Sequence, residues 1–243
     1  MDGCKVITLC GSTRFKDEFI KAQERLTLEG NIVISVALFS HADNIKIKPD
    51  IKAMLDEIHK KKIEMSDEIF VIDVDKYIGE STRSEIEYAT KLGLPIHYYS
   101  DWTLQNNLER LDKDKEYQSQ YPDLIKPLKP HLKEQIKSIL PQFSRQPILS
   151  FMPDGTIQLR WEIKRYEGTT KTDILAYTFD GTDRVKIEED RYENNNRKPK
   201  PIYRMEDVYN ILSLDDMIVM VKDFYNKSTE DVLKEQEKAE DKK

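Results

Sequence analysis

Only two cysteines occur in 243 residues, Cys4 and Cys10, and both fall in one apolar segment, Cys4-Lys5-Val6-Ile7-Thr8-Leu9-Cys10. On a strand rising about 3.3 Å per residue they stand roughly 20 Å apart, beyond the reach of a disulfide. They are two thiols, not a bridge. Histidine is equally scarce: His41, His59, His97 and His131 are the full set of four, and none has a Cys or His partner at ligand spacing along the chain. No metal is expected on that ground. No apolar run approaches the roughly 18 to 20 residues of a membrane span. A basic surplus is also missing, since 39 Lys and Arg face 45 Asp and Glu, for a formal charge of -6. That field opposes polyanions and anionic membranes, so a nucleic acid polymer is not an expected partner. The first residues, Met1-Asp2-Gly3-Cys4-Lys5, hold no basic region followed by an apolar one. A soluble, cytoplasmic protein is expected.

What the chain does contain is alternation. Over the first hundred residues short apolar runs near 4–10, 31–38, 68–74 and 95–99 read as strands. Amphipathic stretches from Arg14 to Glu29, Pro49 to Met65 and Arg83 to Leu92 read as helices between them. Nearly continuous Val, Ile, Phe and Leu at 31–38 and 68–74 suit a parallel sheet covered on both faces. The expected fold class is α/β, a flavodoxin-like or Rossmann-like parallel sheet sandwich spanning residues 1–100. Residues 101–146 read as a helical connector with a break at Tyr121-Pro122. Residues 147–226 read as a β-rich α+β domain: a meander of about four strands turning at Asp154-Gly155, Glu167-Gly168 and Asp180-Gly181, a loop at Asn194 to Pro201, and a helix around Leu214 to Tyr225. Residues 227–243 read as a charged tail.

Two strand-to-helix turns could carry chemistry. In the first, Leu9-Cys10-Gly11-Ser12-Thr13-Arg14, Gly11 lets a ligand approach the backbone, Ser12 or Thr13 can cap the helix, and Arg14 can fork an anion. An ordinary capped turn accounts for it as well. In the second, Asp73 and Asp75 stand at the carboxyl end of a strand, followed by Tyr77, Gly79, Ser81 and Thr82 and then by Glu85 on a helix. Open α/β sheets bind ligands at such ends, and a phosphate could sit on the amides of Gly79 to Arg83. Glu85 shares a helix face with Ala89 and Leu92, which aims it at the sheet. Thr82-Arg83-Ser84-Glu85 also reads as a capping box, in which the glutamate serves only the helix end. The residues leave both readings open.

Together Cys10-Gly11-Ser12-Thr13-Arg14, the strand ending in Asp73, and Gly79-Glu80-Ser81-Thr82-Arg83-Ser84-Glu85-Ile86-Glu87-Tyr88-Ala89 resemble the nucleoside 2-deoxyribosyltransferase superfamily, including the nucleoside 5'-monophosphate N-glycosidases. The resemblance covers about residues 4 to 100. It implies a flavodoxin-like fold and cleavage of an N-glycosidic bond with no cofactor. It implies Glu85 as nucleophile, Asp73 as a strand-end acid, ligand contacts at Gly11 and Ser12, and a sugar- or phosphate-binding loop from Gly79 to Thr82. A homo-oligomer follows from the resemblance alone. The acid that protonates the departing base is missing from the aligned stretch, Ile58-His59-Lys60-Lys61-Lys62. His59 could take that role or be a surface residue in a basic run.

The expected substrate is a small nucleoside or nucleotide. Glu85, favoured in its ionised form by the helix N-terminus, would capture the anomeric carbon, and Asp73 would hold a sugar hydroxyl or help protonate the base. Thr13, Arg14 and Asp75 would add substrate contacts, and Tyr77 could stack on the base. The alternative is a non-catalytic module that senses a nucleotide or an NAD derivative and signals through the C-terminal domain.

Overall fold

The computed structural model describes residues 3–43, 45–113, 128–167, 169–179, 185–195, 198–204, 208–210 and 213–226. The chain divides into two compact units, Met1–Gln105 and Asn106–Lys243. The expected break at Tyr121-Pro122 and the charged tail at 227–243 lie outside the described residues.

The first unit is α/β. Its strands are β1 (Val6–Gly11), β2 (Ile32–Ile34), β3 (Glu68–Ile72) and β4 (Ile96–Tyr98), all parallel, in the order β2-β1-β3-β4. The helices α1 (Lys16–Leu28), α2 (Pro49–Glu64) and α3 (Glu80–Lys91) connect them, and α4 (Tyr99–Asp112) follows β4. Side chains alternate across the sheet, as a period of two requires. Ile7, Leu9, Phe70 and Ile72 pack with Phe19, Ala22 and Leu26 of α1 on one face. Cys10, Ile69 and Val71 pack with Ile63 of α2 and Ala89 of α3 on the other. Each fully buried Leu, Ile or Phe in these layers contributes about 1.5 to 3 kcal/mol.

This strand order reverses direction between β1 and β3. The chain winds outward to β2 on one side and to β4 on the other, so the carboxyl ends of β1 and β3 border a crevice that neither connection covers. Gly11 closes β1 there, paired with Ile72 of β3. Its φ is +152°, and a Cβ would stand 2.9 Å from the Ile72 Cβ and 3.0 Å from the Ile72 carbonyl oxygen. Only glycine lets the two strands lie this close while β1 leaves the sheet.

The second unit contains α5 (Pro130–Ile139), an antiparallel sheet and a helix at 214–226. The strands are β5 (Ile148–Phe151), β6 (Ile157–Glu167), β7 (Thr169–Phe179), β8 (Val185–Asn195), β9 (Lys198–Arg204) and β10 (Val208–Asn210). Ile157, Leu159 and Trp161 alternate inward with Leu175, Tyr177 and Phe179, and the Trp161 indole donates to the Arg145 carbonyl at 2.9 Å. The expected meander of about four strands forms as β5-β6-β7-β8, and among the described residues β9 and β10 add to it. One expectation is corrected: the segment read as a loop at Asn194 to Pro201 contributes to the ladder, with Asn195 paired to Lys198 and Tyr192 to Pro201. Pro199 and Pro201 are tolerated because β9 is an edge strand, where a residue without an N–H leaves no ladder bond unmade.

Candidate functional site

Helix α3 starts at Glu80 with Gly79 as its extended N-cap, and no side chain caps it. The start lies ahead of the expected one, which puts Thr82 inside the helix, where it is 2% exposed. The capping box therefore does not form. Glu85, in the second turn, faces β1 instead, with a carboxyl oxygen within 4.8 Å of the Cys10 sulfur and the field of the Gly11 amide acting on it. Helix α2 supplies the opposite wall. Lys52, Asp56, His59 and Ile63 recur at helical spacing on one face. His59 is 6% exposed, and its Nε2 lies 3.7 Å from Glu85 Oε1. Buried polar atoms normally have partners. Here His59 Nε2 and Glu85 Oε2 have none.

Burial sets the charge state of this group. Desolvation pushes the Glu85 carboxyl up to about 8, helped by the negative field of Asp56 and opposed by the Cys10 thiol, the Gly11 amide and Lys52. Desolvation lowers His59 to about 4, with Lys62 adding to the effect. It also raises the Cys10 thiol well above its ordinary value, and Glu85 adds to that. At neutral pH the three side chains are a carboxylic acid, a neutral imidazole and a thiol. The expectation of an ionised Glu85 is corrected: the helix dipole fades beyond the first turn, while burial acts on the whole charge. At the rim Lys52 Nζ bridges Asp56 Oδ2 at 2.7 Å and Ser81 Oγ at 3.0 Å.

No family model and no curated protein matches the chain. Among solved structures, a Gfo/Idh/MocA family oxidoreductase from Vibrio cholerae aligns at 12% identity over 91% of this chain and 88% of that one, with a TM-score of 0.22. At that score the likeness carries no argument about chemistry. No described helix is long and apolar enough to cross a membrane.

The other expected site residues divide into two groups. Ser12, Arg14 and Tyr77 meet across the crevice: Arg14 lies 4.5 Å from the Tyr77 ring centroid, and its Nε donates to Ser12 Oγ at 3.2 Å. Phe15 meets the same ring edge-on with centroids 6.0 Å apart. Tyr77 thus stacks on a guanidinium and remains 40% exposed. Thr13 does not cap α1, nor does Ser12. The N-cap is Phe15, with no side-chain bond, and Thr13 Oγ1 is held by His41 Nδ1 at 2.8 Å.

Asp73 is not beside Glu85 as a working acid. Its carboxylate is 2% exposed and accepts the Ser100 amide at 2.9 Å and the Ser100 hydroxyl at 2.7 Å. It secures the start of α4, and the acid whose field reaches Glu85 is Asp56. Asp75 and Lys76 follow with φ of 54° and 57°. Non-glycine residues held there cost of order 1 to 3 kcal/mol each. The strain is fixed by the Lys76 amide on the Asp73 carbonyl at 2.8 Å and by Lys76 Nζ on Ser100 Oγ at 2.6 Å.

Cys10 and His59 are the residues that sequence reasoning undervalued. From the sequence Cys10 reads only as a thiol too far from Cys4 to bridge it, and His59 as a possible acid or a surface group. The available signal was the spacing of His59 with Lys52, Asp56 and Ile63, which marks the inward side of α2, whereas Lys60 and Lys61 pair outward with Glu57 and Glu64.

Proposed function

We propose that the first unit cleaves the N-glycosidic bond of a nucleoside or nucleoside 5'-monophosphate, with Glu85 as the carboxyl group that captures the anomeric carbon. The observation that carries this reading is Glu85 itself: it serves no helix cap, and its Oε2 is buried without a partner beside Gly11. The reading also draws on the crevice between the ends of β1 and β3 and on the motif order that resembles the deoxyribosyltransferase superfamily. In the proposed first step the Glu85 proton passes to His59 Nε2, and the carboxylate bonds to the anomeric carbon. The bond to the base nitrogen breaks as that one forms, and the base leaves with the proton. In the second step water, or the N–H of another base, displaces Glu85, and the proton it gives up passes through His59 Nε2 back to the released carboxylate, giving a hydrolase or a transferase. Arg14 and the open amides at the start of α3 would select a phosphate. Asp73 is assigned to positioning the crevice loop rather than to proton transfer.

Chromatography of free base released from a panel of nucleosides and nucleoside monophosphates tests the proposal. Wild type is expected to release base from at least one, and Glu85→Gln from none; equal turnover by the variant would sink the assignment. A second reading is favoured by the neutral state of Glu85, because an acid kept protonated donates a hydrogen bond to a bound ligand. In that case the unit senses a nucleotide, and calorimetry shows tight binding with no turnover by either protein.

A further inference from the structure

Three side chains of different chemistry converge on one buried point: Cys10 from β1, His59 from α2 and Glu85 from α3. One ligand atom of each, a thiol sulfur, an imidazole nitrogen and a carboxyl oxygen, lies within 4.8 Å of the others. Ligands held tetrahedrally at about 2.0 to 2.3 Å from a zinc ion stand roughly 3.3 to 3.8 Å from one another. The separation of His59 Nε2 and Glu85 Oε1, 3.7 Å, already falls there.

We infer that Cys10, His59 and Glu85 form a binding site for a borderline-soft divalent cation of the zinc class, with one coordination position left open. Two further observations converge on it. The His59 side chain is 8% exposed, yet its Nε2 has no hydrogen-bond partner. Glu85 Oε2 is likewise buried and unpartnered. A cation would satisfy both orphaned atoms at once. A mixed sulfur, nitrogen and oxygen set selects zinc, cobalt or copper over calcium or magnesium, which take oxygen ligands. Binding displaces the thiol and carboxyl protons to solvent, so the three uncharged side chains become a thiolate, an imidazole and a carboxylate around the ion. Asp56, 43% exposed and one turn before His59, marks the side from which the ion arrives.

The site stands on these side chains whether or not the bond-cleaving reading holds. Where both hold, they compete, because a Glu85 bound to metal cannot attack an anomeric carbon. Metal would then act as a reversible inhibitor of base release.

The test uses the full chain, stripped of metal. Zinc affinity is measured by competition with a chromophoric chelator, and cobalt(II) is added as a spectroscopic probe. Wild type is expected to bind one equivalent and, with cobalt, to show a thiolate-to-metal charge-transfer band in the near ultraviolet. Cys10→Ser should abolish the band and Cys4→Ser should keep it. His59→Gln should weaken zinc by at least roughly tenfold, since even the outer partners of metal ligands are worth that much. Circular dichroism accompanies each variant; should Cys10→Ser fail to fold, the wild-type cobalt spectrum and His59→Gln decide. A cobalt complex without a thiolate band, or zinc affinity unchanged in folded His59→Gln, overturns the site. Base release by metal-free protein without metal binding would reject this inference and leave the bond-cleaving reading intact.

Discussion

Replacing Glu85 with Gln keeps the side-chain shape and removes one titration, so the pH dependence of stability should expose what burial does to this carboxyl group. Its value is raised from 4.5 to about 8 in the folded chain. Between those limits the folded state holds a proton that the unfolded state has lost, so stability is fully present below pH 4.5 and falls as pH rises to 8. His59 has the opposite sign. Its value drops from 6.5 to about 4, so the unfolded state holds the extra proton and stability rises between pH 4 and 6.5. Each effect has a slope of about 1.4 kcal/mol per pH unit. They cancel from pH 4.5 to 6.5, and Glu85 acts alone from 6.5 to 8, where the wild type, stripped of metal, should lose about 2 kcal/mol. In Glu85→Gln that loss should vanish, and the His59 slope should emerge below pH 6.5. Trp102 and Trp161 lie in different units. Urea unfolding in a Trp161→Phe background therefore follows the first unit through Trp102. Parallel stability profiles for the two proteins between pH 6.5 and 8 would refute the reasoning, because the carboxyl would then already be ionised in the folded state.

Three further outcomes follow from the same geometry. Gly11→Ala should cost about 2 to 4 kcal/mol in urea unfolding, combining backbone strain with a Cβ pressed onto Ile72. Ser100→Ala should cost about 1.5 to 3 kcal/mol by the same measurement, since it removes a hydroxyl donor from the buried Asp73 carboxylate. If base release is detected, Arg14→Ala should raise KM for a nucleoside 5'-monophosphate on the order of tenfold and leave KM for the nucleoside nearly unchanged; equal effects on both would remove Arg14 from phosphate binding.

Much of the fold was legible because its signals are local. The unbroken apolar run of β3 reflects burial on both faces of a central parallel strand, and helix spans followed from amphipathic spacing with glycines at 30 and 93 beyond the ends. The edge strand β9 was misread, since prolines and charges describe a loop and an edge strand equally well. The start of α3 was misread as well, because a Thr-x-x-Glu pattern resembles a cap wherever it occurs. The true start is Glu80, with Gly79 as the N-cap.

The sequence by itself determined the layered α/β architecture of the first unit and the two strand-to-helix turns that follow β1 and β3, which depend on periodicity and on short-range turn chemistry; Glu85 stood out through the motif resemblance. Only the tertiary structure decided what surrounds Glu85. Packing α2 against α3 over β1 brings His59 and Cys10, 26 and 75 residues away from it, to the same buried point, and excludes the water that would have kept all three at ordinary charge states. Desolvation and convergence are properties of the closed core, and no window of sequence contains them.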